Sequence, residues 1–494
     1  MAVSSPDRPT VAIAGATGFI GTAVRTALRG EAHVVGLTRS PVRARANADR
    51  HEHETWRHCD LFDPYAVQEG LEGADVAIYL VHSMHPSSRL TQAQVADLDL
   101  LQADNFARAA AAQGVEQILY LGALVPQDAS GLPPRLRSRL EVEHALGAAG
   151  VPVTTLRTGF IVGPGGTWLR LLLNLVRRLP VMLLPMWTRA TTQPIALADI
   201  VRGLTHCLGR PDTYGRTYDV GGPDRMTYRE LLKRTAAVLG LRRPMTTVPF
   251  DAPELSKLWV CAFGGVPLSL VSPIVDSLRY QAEVQSNALQ ETLVEEATPF
   301  EEALAASVDA QGRPLPNPRE ALRARDDAEI RAQSVVRSVQ RMPCPPGFDA
   351  RDVALEYLRW LPRLGWPLLR VRVSQRRIAR FQIRPTGTTL LTLRFADDRS
   401  PAGRQAFYVT GGLLVDVEGP RTGRLEFRQA LDGDTILAAV HDFSPRLPWS
   451  VYNSTQALVH LLVMRRFRRH LEQLGEGQES APPLSSPARN EPTA

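Results

Sequence analysis

Three glycines set three residues apart, in Gly15-Ala16-Thr17-Gly18-Phe19-Ile20-Gly21, follow directly on the apolar run Val11-Ala12-Ile13-Ala14 and open a helical stretch, Phe19 to Leu28. No other feature narrows the fold as much. A short apolar run bounded by glycine reads as a buried strand. Gly15 permits a tight turn, Gly18 lets the backbone come close to a ligand, and Gly21 lets the helix lie close to the sheet. A helix that starts there turns its partial positive charge toward the loop, which suits a phosphate. A second apolar strand, Val34-Val35-Gly36-Leu37, follows the helix. Strand, loop, helix and strand in this order are the context in which a glycine loop of this kind binds the pyrophosphate of a dinucleotide.

The pattern continues. Val76 to Val81, Gln117 to Leu121 and Val153 to Leu156 read as further strands, and the Ala-rich stretch Ala93 to Gln113 carries Leu98, Leu101 and Phe106 at helical spacing. Alternating strands and helices predict an α/β domain of the Rossmann type, a doubly wound parallel sheet, over residues 1–320 with a small helical substrate region at its end. Residues 312–336 are rich in Pro, Arg and Asp and read as a linker. Beyond it, Arg351 to Leu361 reads as a helix. Strands without intervening helices follow: Leu369 to Val373, Thr389 to Phe395, Gln405 to Val415, Arg424 to Phe427 and Ile436 to Val440. One long helix, Val451 to Leu474, closes the pattern. The expectation is a second α+β domain over 337–474, an antiparallel sheet plus a long helix, with a disordered tail at 475–494. Its order of elements vaguely resembles the helix-grip (START/Bet v 1-like) domains, in which a sheet wraps a terminal helix around an apolar cup.

The composition narrows the function classes. The chain has 494 residues and a formal charge of +6, and its only lysines are Lys233 and Lys257. One short basic run, Arg465-Arg466-Phe467-Arg468-Arg469, is no nucleic-acid footprint; it reads as a solvated helix face or, alternatively, as a membrane-surface contact aided by Trp360 and Trp366. Cys59, Cys207, Cys261 and Cys344 have neither metal-ligand nor redox spacing, so no metal is expected and a cytoplasmic setting fits.

At the end of the second strand stands Leu37-Thr38-Arg39-Ser40, with Arg43 nearby and no carboxylate. An acid there serves a ribose hydroxyl; an arginine accommodates a 2′-phosphate. The expected cofactor is therefore NADP, with NAD less favoured.

With these residues in view, the first 320 or so positions resemble the atypical extended short-chain dehydrogenases/reductases, and within them the NmrA-like branch that includes the accessory Rossmann subunit of respiratory complex I. The segments that carry the resemblance, besides the glycine loop, are Cys59-Asp60-Leu61, Tyr79 to Met84, Tyr120 to Leu124, Arg137 to Glu143, Leu156-Arg157-Thr158-Gly159, and Gln193 to Ala196 with Asp199. The resemblance implies cofactor contacts from Gly15, Thr17, Gly18, Phe19, Ile20, Gly21, Asp60, Leu61, Val81, His82, Arg139 and Arg157, with Arg39 added from its place after the second strand.

The same resemblance exposes a departure. Working reductases of this superfamily use a serine and a YxxxK pair, the lysine helping a tyrosine of ordinary pKa ~10 to act as acid. Here Arg135 and Arg139 stand at the Tyr and Lys places, and the serine place falls on Gly122 or Ala123. Two readings follow. In one, the domain is an oxidoreductase for an apolar, quinone- or isoprenoid-like molecule admitted beside the Leu169–Trp187 region. Its proton donor is relocated to His82, ahead of Ser83 and Tyr79, because imidazole titrates near working pH. In the other, it is a non-catalytic NAD(P)H-binding sensor or scaffold.

Overall fold

The computed structural model describes residues 8–46, 52–82, 90–126, 131–247, 283–316, 336–364, 369–401, 403–416 and 422–479, with isolated positions between 257 and 275. Ser83, Met84, Trp366, most of the linker, the side chain of Arg43 and the tail from 480 lie outside them. The chain divides into two compact units: Met1–Ser87 with Leu98–Ala332, and Ser88–Asp97 with Gln333–Ala494.

In the first unit, β1 (Thr10–Ala14) leads into α1 (Phe19–Ala27), then come β2 (His33–Thr38), β3 (Glu54–His58) and β4 (Val76–Tyr79). In chain order there follow β5 (Leu90–Gln92), α2 (Val95–Ala112), β6 (Gln117–Ala123), α3 (Pro134–Gly147), β7 (Val153–Thr158), α4 (Thr167–Arg178), β8 (Thr217–Val220) and α5 (Tyr228–Val238). Apart from β5, these strands form one sheet in the order β8-β7-β6-β4-β1-β2-β3. Every pairing is parallel. The Rossmann-type expectation holds, and the chain reverses its direction of travel across the sheet between β1 and β4. Val11, Ile13, Val34, Val76, Ile78 and Leu119 are buried on one face and Ala12, Val35, Ala77 and Ile118 on the other, so the strands read as continuous apolar runs rather than alternations.

β3 and β8 go beyond the expected strands. β3 reads Glu-Thr-Trp-Arg-His, and its buried Glu54 hides it from a hydrophobic pattern. Glu54 is buried because Arg25 of α1 meets it there, and Trp56 Nε1 donates to the same oxygen at 3.0 Å.

The second unit holds β9 (Val336–Pro343), α6 (Ala350–Trp360), β10 (Leu369–Val373), β11 (Ile378–Ile383), β12 (Thr389–Phe395), β13 (Arg404–Gly411), β14 (Arg424–Ala430), β15 (Thr435–Phe443) and α7 (Gln456–Glu479). Its sheet runs β10-β11-β12-β13-β14-β15-β9-β5. All neighbours are antiparallel except the last pair, where β5 lies parallel to β9. The antiparallel expectation is right for seven of the eight strands; the eighth is a three-residue segment from far upstream. Tyr357 and Trp360 of α6 meet Phe467 of α7 and Phe427 of β14 in an aromatic core.

The terminal helix departs from expectation in three ways. It is broken at Thr455 (φ −128°, ψ −84°), following a short helix at Trp449–Ser454. There Ser454 and Thr455 donate their hydroxyls to the carbonyls of Ser450 and Val451, competing with the helical ladder. It also continues through 475–479, which the sequence reading gave to a disordered tail, because buried Leu471 and packed Leu474 anchor its last turns. Finally, its apolar positions, which as a period would all read as core, divide: Met464 and Phe467 are buried, but Leu458 and Leu462 are exposed. Among the described residues no helix is long and apolar enough to cross a membrane.

Candidate active site

The loops that follow β1, β2, β3 and β4 share one edge of the first sheet. Register places Ala14 between Leu37 and Tyr79, and Thr38 beside His58. The segments one step beyond are Gly15–Gly21, Arg39, Cys59-Asp60-Leu61 and Leu80-Val81-His82. They converge at the reversal point, the crevice where open α/β sheets bind ligands.

Each glycine has its own job. Gly15 adopts φ +86°, and a Cβ there would come within 3.0 Å of the Leu80 carbonyl. Gly18 donates its N–H to the Gly15 carbonyl at 2.8 Å, closes the turn and becomes the N-cap of α1. A Cβ on Gly21 would sit 2.3 Å from the Gly15 oxygen. The first turn of α1 has neither a side-chain cap nor an acidic residue. Thr17, Phe19 and Ile20 are half-buried around it. A tight cradle with an uncapped helix start fits a pyrophosphate.

The loop is braced by a contact with no sequence motif. Arg25 Nε donates to the Ala16 carbonyl at 2.9 Å, and the same guanidinium lies over the Trp56 ring at 4.7 Å and pairs with Glu54. One turn of α1 is thus tied to the loop before it and to β3.

Arg39 is half-buried just past β2 and makes no ion pair with a described residue. Asp60 turns its carboxylate back to the Phe62 N–H at 3.2 Å, and the Leu61 carbonyl accepts from Asn105 at 2.7 Å. Val81 is half-buried beside them. Arg157 is committed elsewhere: it grips Glu143 with two hydrogen bonds of 3.0 and 2.9 Å, which ties β7 to α3.

Beyond β4 the site becomes electrostatic. His82 Nδ1 lies 2.8 Å from Asp99 Oδ2, and Asp99 is buried on α2. Arg139 of α3 reaches the same carboxylate oxygen at 3.5 Å. Burial, then the Arg139 charge, holds the His82 imidazole below its ordinary range, against the pull of Asp99. Tyr79 and Tyr120 lie beneath, packed with Phe106, and burial pushes both hydroxyls up. Tyr79 is fully buried beneath the site. Asp99 sits seventeen residues after His82 and belongs to no motif, so the sequence did not reveal the pairing.

A cavity of about 200 Å³ opens beyond the ends of β6 and β7. Leu171, Leu172 and Leu175 of α4 form one wall, Leu231 and Leu232 of α5 another, and Trp187 and Tyr228 close it edge to face at 6.0 Å. The sequence reading found the α4 wall but missed Tyr228, whose hydroxyl burial pushes up. Arg135 lines the cavity with its guanidinium 5.7 Å from the Trp168 ring.

Residues 15–171 match a sequence family described as NAD(P)H-binding. A curated relative, the auxiliary protein GraX of Staphylococcus aureus, is 29% identical over 153 residues, 31% of this chain; the chain spans 45% of that relative's length. Among solved structures, a nucleoside-diphosphate-sugar epimerase from Staphylococcus aureus is similar at 18% identity, with TM-score 0.48, over 60% of this chain and 99% of its own. A Citrobacter sp. triphenylmethane reductase complexed with NADP(H) gives 21%, TM-score 0.47, over 59% and 98%. An Escherichia coli NADPH-dependent quinone oxidoreductase complexed with NADPH gives 19%, TM-score 0.46, over 59% and 98%.

Proposed function

We propose, from the match of residues 15–171 to a family described as NAD(P)H-binding, that the first unit is an NADP(H)-dependent oxidoreductase for a small apolar molecule, quinone- or isoprenoid-like, with His82 in place of the Ser-Tyr-Lys machinery. The single observation that carries this is the His82–Asp99 pair at 2.8 Å. A buried carboxylate on Nδ1 fixes the ring and its tautomer, which is how a catalytic imidazole is held. Nε2 is then the atom that gives up or takes the proton.

In this reading Gly15, Thr17, Gly18, Phe19, Ile20 and Gly21 hold the pyrophosphate, and Arg39 the 2′-phosphate. Asp60 and Leu61 flank the adenine side, Val81 and His82 the nicotinamide side, and Arg139 the ribose. Arg157 acts as a brace between β7 and α3. The bound nicotinamide supplies or accepts the hydride. The leucine and tryptophan walls exclude water and position the apolar partner.

A second reading is favoured by one specific observation. The place of the usual acid holds Arg135, which keeps its proton at neutral pH even though burial brings its pKa down to about 10. A domain that binds NADP(H) without turning it over would look like this.

Stopped-flow oxidation of NADPH by a quinone panel separates the two. The oxidoreductase reading expects turnover in the wild type, a fall of roughly 10²-fold or more in His82→Gln, and little change in Tyr228→Phe. Tight NADPH binding with no oxidation of any acceptor supports the sensor reading. Loss on Tyr228→Phe but not on His82→Gln moves the proton donor into the cavity wall.

A further inference from the structure

Four residues that line the α4–α5 cavity carry polar groups with no hydrogen bond among the described residues. Thr158 Oγ1, Trp187 Nε1 and Thr191 Oγ1 are shielded from solvent and make no hydrogen bond. The fourth is the Arg135 guanidinium, whose recorded contact is the Trp168 ring. Buried polar atoms in folded proteins nearly always find a partner, so three that lack one in residues lining a single apolar space mark that wall as polar beneath its surface.

The local charges say which polar group. Arg135 and Arg139 lie one turn apart on α3, and Arg139 and His82 both engage Asp99. His82 is held toward its neutral form. Two guanidinium groups thus face one carboxylate, and that carboxylate is engaged by Arg139. Among the described residues Arg135, which lines the cavity, makes no ion pair. An arginine fork beside apolar walls matches a carboxylate on a hydrocarbon body.

We infer that the cavity takes an amphipathic carboxylic acid, its carboxylate on Arg135 and its apolar body against the leucines of α4 and α5. This rests on the cavity being the substrate site of the proposed oxidoreductase, and it narrows the substrate from a neutral apolar molecule to an acid-bearing one.

The test is isothermal titration of the full chain with octanoate and with octan-1-ol, which share a tail and differ in charge. NADPH is titrated separately without either. A charge-assisted pair in a partly buried site contributes roughly ten- to hundred-fold in affinity. Octanoate is therefore expected to bind at least tenfold more tightly than octanol. Arg135→Met should bring octanoate down to octanol's affinity and leave NADPH affinity unchanged; Arg135→Lys, which keeps the charge, should retain a measurable preference for octanoate. Equal binding of the two ligands by the wild type overturns the inference, whatever the variants do. So does an Arg135→Met protein that loses NADPH and keeps octanoate, which would give the arginine to the cofactor. If octanoate binds as described but NADPH does not bind, the cavity assignment stands and the oxidoreductase reading fails.

Discussion

Replacing Gly21 with alanine tests the dinucleotide loop at its tightest point. The added Cβ would lie 2.3 Å from the Gly15 oxygen and 2.9 Å from Ala16 Cα, where ordinary contact begins at 3.4 Å. Both neighbours are backbone, so no side chain can swing away. The Gly15 carbonyl also accepts the Gly18 N–H that closes the turn. Relief requires the start of α1 to move by about 1 Å, or the turn to open. Overpacking of this kind costs about 1–3 kcal/mol, and the strained turn bond adds about 1 kcal/mol. For a unit of this size that lowers the melting temperature by roughly 3–6 °C. The same shift pulls the α1 N–H groups away from the pyrophosphate. Losing one charge-assisted bond weakens NADPH binding by roughly 10- to 100-fold. Differential scanning fluorimetry and NADPH titration give the two readouts. Gly147→Ala, at the end of α3, is the control, since its Cβ would meet only Val153 Cγ2 at 3.9 Å. A Gly21→Ala protein that melts with the wild type and binds NADPH within about twofold of it would refute the argument that close helix–loop approach is required.

Arg39→Ala should weaken NADPH binding by roughly 10- to 100-fold and leave NADH binding almost unchanged, because the guanidinium has no partner among the described residues to lose; equal losses, measured by titration, would remove the 2′-phosphate assignment. Glu54→Gln removes the carboxylate charge that the buried Arg25 guanidinium pairs with, and a loss of up to about 3–5 kcal/mol in denaturant unfolding is expected. His460 of the second unit, whose Nε2 lies 3.1 Å from Ser338 Oγ, is held by burial at a pKa of about 4. The unfolded chain takes up that proton near pH 6.5, so the contribution is intact above pH 6.5 and is lost as pH falls toward 4, by up to about 3 kcal/mol. His460→Gln should flatten the pH dependence of stability over that window; an unaltered profile would show that His460 does not titrate as described.

The glycine loop was legible because its chemistry is local: turn, approach and helix start are all written within seven residues. The strands β1, β2, β4, β6 and β7 were legible because a sheet covered on both faces needs continuous apolar runs. β3 was not, because Glu54 is buried against a partner 29 residues earlier and breaks the run. The site divides in the same way. Arg39 and His82 could be found by their position after a strand. Asp99, which orients His82, and Tyr228, which closes the cavity, come from helices whose sequences carry no mark of their use. Arg135 was read from its place opposite a tyrosine; that it lines the α4–α5 cavity comes from the fold and not from any local pattern.

The parallel pairing of β5 with β9 has a consequence for the order in which the chain is made. Ser338 reaches back to Gln92 across 246 positions to complete the second sheet. During synthesis at about 5–20 residues per second, β5 leaves the ribosome roughly 12–50 s before its partner exists. Meanwhile the segments on either side of it, β4 and the body of α2, are already being drawn into the first unit. The second unit is thus stitched into the first along the sequence. Cutting the gene in the linker yields a carboxyl-terminal fragment whose β9 keeps an unpaired edge, open to another chain, and an amino-terminal fragment carrying a strand with no sheet to join.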